Sequence, residues 1–331
     1  MKLTISLKSS IAVCVLLICS GAQAQTAPPQ QIHVLTLLGR PVQFVVADKQ
    51  LLFAKYGVEV VNDNKKNSDE LRADLAAGKG DVAYLAVDNA VAMVELAHQD
   101  VVIVMGGEGS QNELIAQKDF KSIADLRGKT LIVDAPNTAY ALQMKKILLL
   151  SGLTAGKDYE IKPYGATPQR LIAMREQKDF AGSMLGPPVS LVAKREGFVS
   201  LGSVQQLIGP YQAAGFFTQR AWAKDHRELL IAFLSACIEA QRWLLNPANK
   251  QQVIDLLATQ YHLAPEIAAE DYDISITHPG GFAKDAQFDL RGFENVLKLR
   301  AEVEGQWGGH PPSPDKYYDP SYYQAALTKA K

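Results

Sequence analysis

The chain has 331 residues, 47% of them hydrophobic, and 34 Lys and Arg stand against 35 Asp and Glu. With charge this balanced and no basic block or stripe, nucleic acid has no electrostatic footprint to recognise. The length is enough for two hydrophobic cores rather than one.

The N-terminus has the layout of a secretory signal peptide. Lys2 and Lys8 form a basic front, 11–18 is apolar, and Gly21-Ala22-Gln23-Ala24 supplies the small residues of a cleavage site after Ala24. The apolar run is too short to cross a bilayer, and nothing after residue 24 has that length. An exported protein without an anchor has to be retained by an outer compartment, so the periplasm is the expected location. Cleavage would remove Cys14 and Cys19 and leave Cys237 alone. One cysteine supports neither an intramolecular disulfide nor a structural zinc site. Cys237 lies in the apolar stretch 229–245, where a small buried side chain is expected.

After a polar leader over 25–30, the pattern predicts a strand at 31–38 and a break at Gly39-Arg40-Pro41. A helix follows at 42–55, then a strand at 58–61 and a helix at 69–77 capped by Gly78. A short apolar strand at 81–86 leads through Asp88 into a helix at 89–97, and 101–105 is a further strand. The alternation then restarts. Strands are predicted at 130–133, 159–164 and 180–185, and helices at 139–151, 168–176 and 189–196. Short apolar strands alternating with helices specify an α/β protein, each half a mainly parallel sheet covered on both faces. The tail is mostly helical, over 222–245, 251–261, 265–272 and 290–304, punctuated by Pro247, Pro265 and Gly280-Gly281. The segment 310–323 is rich in Pro, Tyr and Asp and is expected to pack along a surface.

Several segments carry a resemblance. They are Tyr56-Gly57-Val58-Glu59-Val60, Leu75-Ala76-Ala77-Gly78-Lys79-Gly80-Asp81-Val82-Ala83, Ala86-Val87-Asp88-Asn89-Ala90 and Asp125-Leu126-Arg127-Gly128-Lys129. Val133-Asp134-Ala135-Pro136-Asn137-Thr138, Trp243-Leu244-Leu245-Asn246-Pro247-Ala248-Asn249 and Lys316-Tyr317-Tyr318-Asp319 complete the set. In order and spacing they resemble the ABC transporter substrate-binding proteins of the sulfonate, nitrate and thiamine-pyrimidine group. That resemblance implies a two-lobed type II periplasmic binding fold with two hinge crossings, near 106–112 and 209–215. The leader would be 1–24, lobe one 25–112 with 215–331, and lobe two 113–214. It also implies a monomer whose partners are a small-molecule ligand and an ABC permease and ATPase complex at the inner membrane. A receptor reporting to a sensor kinase is the alternative.

Ligands of open α/β sheets sit beyond the carboxyl ends of the strands, where helix N-termini offer free N–H groups. The residues at those points are the candidates: Gly39 and Arg40, with Phe44 in the helix behind them, then Asp88 and Asn89, Asn137 and Thr138, Thr167, and Pro187. Asn112 and Tyr211 lie at the two crossings. Each has an ordinary structural role beside the ligand one. Asp88, Asn137, Thr138 and Thr167 suit helix caps. Arg40 suits a surface charge, and Phe44 and Tyr211 suit core packing. Backbone amides, hydroxyls and at most one arginine point to a carboxylate or sulfonate, with a neutral heteroaromatic in competition. No cofactor and no metal is expected. The six histidines lack ligand spacing, Gly106-Gly107-Glu108-Gly109 lacks the Gly-Lys-Ser/Thr end of a phosphate loop, and Gly-x-Ser-x-Gly is absent. The wider resemblance includes pyrimidine-precursor synthases that use a cysteine-rich motif. A mature chain holding only Cys237 does not support that chemistry, so the chain reads as a non-enzyme.

Overall fold

The computed structural model describes Met1, residues 28–37 and residues 39–331. The expected leader beyond Met1, with Cys14 and Cys19, and also Leu38 lie outside the described residues.

Two five-stranded sheets organise the chain. The first contains β1 (Gln30–Thr36), β2 (Val58–Asn64), β3 (Val82–Ala86) and β4 (Val101–Met105). The second contains β5 (Glu113–Ala116), β6 (Thr130–Val133), β7 (Glu160–Pro163), β8 (Phe180–Leu185) and β9 (Val199–Ser203). The chain then returns to the first sheet as β10 (Ala214–Gln219). The strand orders are β2-β1-β3-β10-β4 and β7-β6-β8-β5-β9. In each sheet one strand runs against its neighbours. β10 is antiparallel to β3 and β4, and β5 is antiparallel to β8 and β9. Both are the first strand entered after the chain passes from one sheet to the other. Every residue of β4 and β8 is buried, as expected of strands covered on both faces. Two mixed sheets, each flanked by helices and joined by two passages of the chain, form a two-lobed type II periplasmic binding fold.

The sequence pattern located the parallel strands and missed β5, β9 and β10. These are runs of four to six residues placed directly after a passage or a short helix. Only their partners on the other strands reveal them. Two expected helices are interrupted. The one over 42–55 divides into Val42–Lys49 and Leu52–Lys55 because Leu51 takes a left-handed conformation at φ 55°. The one over 222–245 divides at His226 into Arg220–Asp225 and Arg227–Leu245. Cys237 is buried in that second helix, and burial holds its thiol well above the usual range. The aromatic segment near the C-terminus seals a sheet edge. Ile103 of β4 donates its N–H to Tyr317 O at 2.8 Å, and Asp319 N–H donates to Ile103 O at 3.1 Å. An edge covered in this way offers no free ladder to another chain.

The helix Leu290–Glu304 joins the two halves of the molecule. Its Phe293, Val296 and Leu297 share one core cluster with Leu71 and Val91 of the first half and with Leu142 and Met144 of the second. Lys145 and Lys146 of the helix Ala139–Leu150 pair with Glu304 and Glu302 on it. Arg300 is its central residue. Its Nη2 donates to Asp88 Oδ2, to Asp88 O and to Asn137 O, each at 3.0 Å. Asp88 opens a helix of the first half, and Asn137 belongs to the loop after β6 of the second. Both charged side chains are fully buried, at 0% exposure. Burial pushes the Asp88 carboxyl up to about 6, against the pull of Arg300 and Arg72.

Removing one member of a buried pair strands the other charge and costs about 3–5 kcal/mol, whereas replacing both is far milder. Arg300→Met should therefore lower unfolding free energy by several kcal/mol in urea titration. The Asp88→Asn, Arg300→Met double variant should recover a large part of that loss. Simple additivity of the two single losses would show that the pair is not coupled.

Candidate functional site

The carboxyl ends of β1, β3 and β8 open on one cleft, which holds two adjoining cavities. The first, about 190 Å³, is lined from the first sheet by Thr36, Leu37, Gly39, Gln43 and Tyr84. The second half contributes Tyr140 of the helix Ala139–Leu150 with Gly186 and Pro187 after β8, and the passages contribute Glu108 to Asn112 with Ala213 and Ala214. Tyr261, Ser275 and Gly280 to Phe282 close it from the C-terminal part. The second cavity, about 410 Å³, continues past Pro187 to Thr167, Ile172 and Leu263. Leu37, Gly39, Tyr140, Gly186, Pro187 and Tyr261 face both.

The glycines of the first passage serve close approach. A Cβ on Gly106 would stand 2.5 Å from Gln287 O, and one on Gly109 would stand 2.8 Å from the Gly280 Cα. Gly186 is confined likewise, with Asn112 Oδ1 at 2.6 Å from a built Cβ. The floor of the cleft is thus assembled from backbones in contact. The backbone of Glu108 is held inside this floor. Its N–H donates to Ala214 O at 3.2 Å, and its carbonyl accepts from Ala213 N at 3.1 Å and from Gln212 Nε2 at 3.2 Å.

The electrostatics of the first cavity are acidic. No Lys, Arg or His is among its lining residues. Among the described residues, neither carboxyl oxygen of Glu108 meets a hydrogen-bond donor or a cation. Burial pushes this carboxyl up to about 7, and the charge of Asp271 adds to the effect. Asp271 lies behind Ser275, whose Oγ donates to Asp271 Oδ1 at 3.1 Å, and burial raises it to about 6. The charge of Glu108 reaches the Tyr84, Tyr140 and Tyr261 hydroxyls and raises each of them, burial being the larger cause in every case. Gln43 is buried and its Nε2 has no well-formed hydrogen bond among the described residues.

A buried polar layer supports these residues. Gln143 accepts from Asn112 Nδ2 at 2.8 Å and donates to Ser110 Oγ at 3.2 Å, fixing the first passage to the helix Ala139–Leu150. Arg170 donates to Ser183 Oγ, Gly165 O, Thr167 Oγ1 and Met184 O, and its guanidinium lies 4.8 Å from the Tyr140 ring centroid. It fixes the wall of the second cavity without lining either one.

Four of the residues singled out from sequence line the cleft: Gly39, Asn112, Thr167 and Pro187. The others line neither cavity. Arg40 makes a bidentate pair with Asp48, at 2.7 and 2.8 Å, over the Phe44 and Phe53 rings. Phe44 is buried among Phe53, Phe216 and Phe233. Asp88 and the Asn137 carbonyl are engaged by Arg300. Asn89 accepts from Arg72 Nη1 at 3.1 Å and donates to Ala86 O at 3.0 Å. Thr138 caps its helix and donates to Asp134 Oδ1 at 2.7 Å. Tyr211 is buried in the core common to both halves. Sequence reasoning passed over Glu108, Gln43, Tyr84, Tyr140 and Tyr261, because only the cleft brings them together. No cluster of three or more His, Cys, Asp or Glu suited to a metal occurs among the described residues.

The family is settled by the match of residues 27–258 to the model of the NMT1-like family, to which this chain belongs. No curated protein matches it. Among solved structures, a protein from Bordetella bronchiseptica is similar at a TM-score of 0.78 and 16% identity, over 90% of this chain and 97% of that one. The ligand-binding component of an ABC-type import system from Staphylococcus aureus, with zinc bound, is similar at a TM-score of 0.71 and 14% identity, covering 91% and 99%. The desulfurization enzyme DszB is similar at a TM-score of 0.60 and 12% identity, covering 91% and 100%. At such identities the likeness is one of fold.

A carboxyl raised from 4.5 to about 7 binds its proton more tightly in the folded chain than in the unfolded one. Its stabilising contribution is complete below the unfolded value and is lost as pH rises through about 7. Glu108→Gln should therefore melt higher than the parent protein above neutrality, with the gap closing as pH falls toward 4.5. Parallel melting curves across that range would contradict the burial of this charge.

Proposed function

We propose that this chain is a periplasmic solute receptor that takes a small organic molecule into the cleft, closes over it, and delivers it to an ABC permease and ATPase complex. The observation carrying this reading is the cleft itself. Two separate sheets present their strand ends to it, and two passages of the chain, the helix Leu290–Glu304 and the Ser68–Asp134 and Arg195–Glu270 contacts join them. Ligands of open α/β folds bind at such ends, and closure about the passages is the usual motion of binding proteins. Family membership supports a carrier rather than a catalyst.

In this reading 1–24 is a cleaved leader, lobe one comprises 25–112 and 215–331, and lobe two comprises 113–214. The receptor acts as a monomer. Gly39, Asn112, Thr167 and Pro187 belong to its contact set, with Gln43 and Glu108 added from the geometry. A carboxylate or sulfonate ligand is disfavoured, because among the described residues no cation lines the first cavity and the carboxyl of Glu108 has no partner.

A ligand that binds only the folded state adds about 2.7 kcal/mol of stability at a hundredfold excess over its dissociation constant, which a thermal-shift screen detects. With the solute so found, small-angle scattering should show a smaller radius of gyration at saturation than without ligand. Unchanged dimensions with a tightly bound solute would contradict closure.

A further inference from the structure

We propose that the solute is a small organic cation, a protonated nitrogen base on an apolar body, and that Glu108 is its counter-charge. The inference rests on the reading of the cleft as a solute site and names the chemistry of its occupant.

Four observations carry it. First, Glu108 is a carboxylate lining the cleft with no cation or donor on its oxygens among the described residues. In the buried acids Asp88 and Asp134 the partner is supplied: Arg300 meets Asp88, and Ser68 and Thr138 donate to Asp134. A charge left unpaired in a receptor cleft is costly unless the ligand completes it. Second, the passage holding Glu108 is fixed by three backbone contacts and by glycines too crowded to accept a side chain, so the carboxylate is held in place before any ligand arrives. Third, Tyr84, Tyr140 and Tyr261 stand round the same space on three different elements, and aromatic rings attract a cation. Fourth, the adjoining cavity has Leu37, Ile172, Leu263 and Pro187 on its wall, which suits an apolar body extending from the charged head, and the one cation among its described lining residues, Arg175, is paired with Glu196.

The groups facing Glu108 all favour a positive ligand. Asp271 on the helix Pro265–Tyr272 adds negative charge, and Tyr84, Tyr140 and Tyr261 add none while they are protonated. The buried cation on that side, Arg170, sits behind Tyr140 and is occupied by four protein acceptors.

The sign of the pH dependence separates this proposal from its rivals. A cation binds the ionised form of Glu108 and releases its proton, so affinity rises as pH passes upward through about 7. An anion prefers the protonated form and follows the opposite slope. The test is calorimetric titration of the purified full-length secreted protein with five probes sharing one ring: benzylamine, benzamidine, benzyl alcohol, benzoate and benzenesulfonate. The two cationic probes should bind, tightening about tenfold from about pH 6 to about pH 8, as the ionised fraction of Glu108 grows. Glu108→Gln should abolish that tightening and weaken both cationic probes at least about tenfold relative to benzyl alcohol. Asp271→Asn should move the midpoint of the pH profile downward, a change that mere loss of folding would not produce. Tighter binding of benzoate or benzenesulfonate, or of benzyl alcohol alone, would overturn the proposed ligand class and leave the receptor reading in place. Binding by none of the five would likewise overturn the proposed ligand class, while the receptor reading stands or falls by the solute screen.

Discussion

The buried guanidinium of Arg300 is the constraint on which the two-lobed arrangement depends. It sits where two sheets and a C-terminal helix meet, and its Nη2 is shared between Asp88 of one half and the Asn137 carbonyl of the other. A charge so deep is tolerable only with its partners in position. The helix that carries it is thereby fixed against both halves at once. Ser68 adds a second link, donating to Asp134 Oδ2 across the same junction at 2.7 Å. The cleft is therefore backed by a fixed spine.

From that spine the site follows in steps. Parallel strands carry their helix-bearing loops to one end, and each sheet presents that end to the other. The passages between sheets must cross the floor of the cleft, and glycines let them lie against each other and against the segment around Gly280. Glu108 is placed by this crowding, since its backbone is bonded to the returning strand on both its N–H and its carbonyl. The charge at the centre of the cleft is thus a consequence of topology. The same fold carries an import-system component and a desulfurization enzyme elsewhere, so chemistry here has to be argued from side chains and not from architecture.

Much of the fold was legible in the sequence. Fully buried strands such as Phe180–Leu185 and helices such as Leu290–Glu304 announce themselves through apolar runs and period, and their bounds agree with the pattern. β5 and β10 did not, because a run of four to six residues takes its identity from the strands beside it. The break at Leu51 was hidden too, since its left-handed backbone stands on a leucine and not on a glycine. The site was legible where it depends on loops at strand ends. Gly39, Thr167 and Pro187 follow from that rule, and they reach the cleft. It was illegible where partners are distant in sequence. Asp88 looks like a cap from its neighbours, yet it meets an arginine 212 residues away. Arg40 looks like a free cation until Asp48 takes both ends of its guanidinium. Glu108 was masked by its glycines, which suggested a flexible passage when they serve contact.

The central claim is that ligand is taken between the two sheets in front of a spine that does not move. Hydrogen exchange of the free and solute-saturated protein tests it most directly. The account predicts new protection at residues 107–112, 186–188 and 280–282, with the helix Leu290–Glu304 slow to exchange in both states. Protection confined to other surfaces, or a helix that becomes ordered only when solute binds, would contradict it.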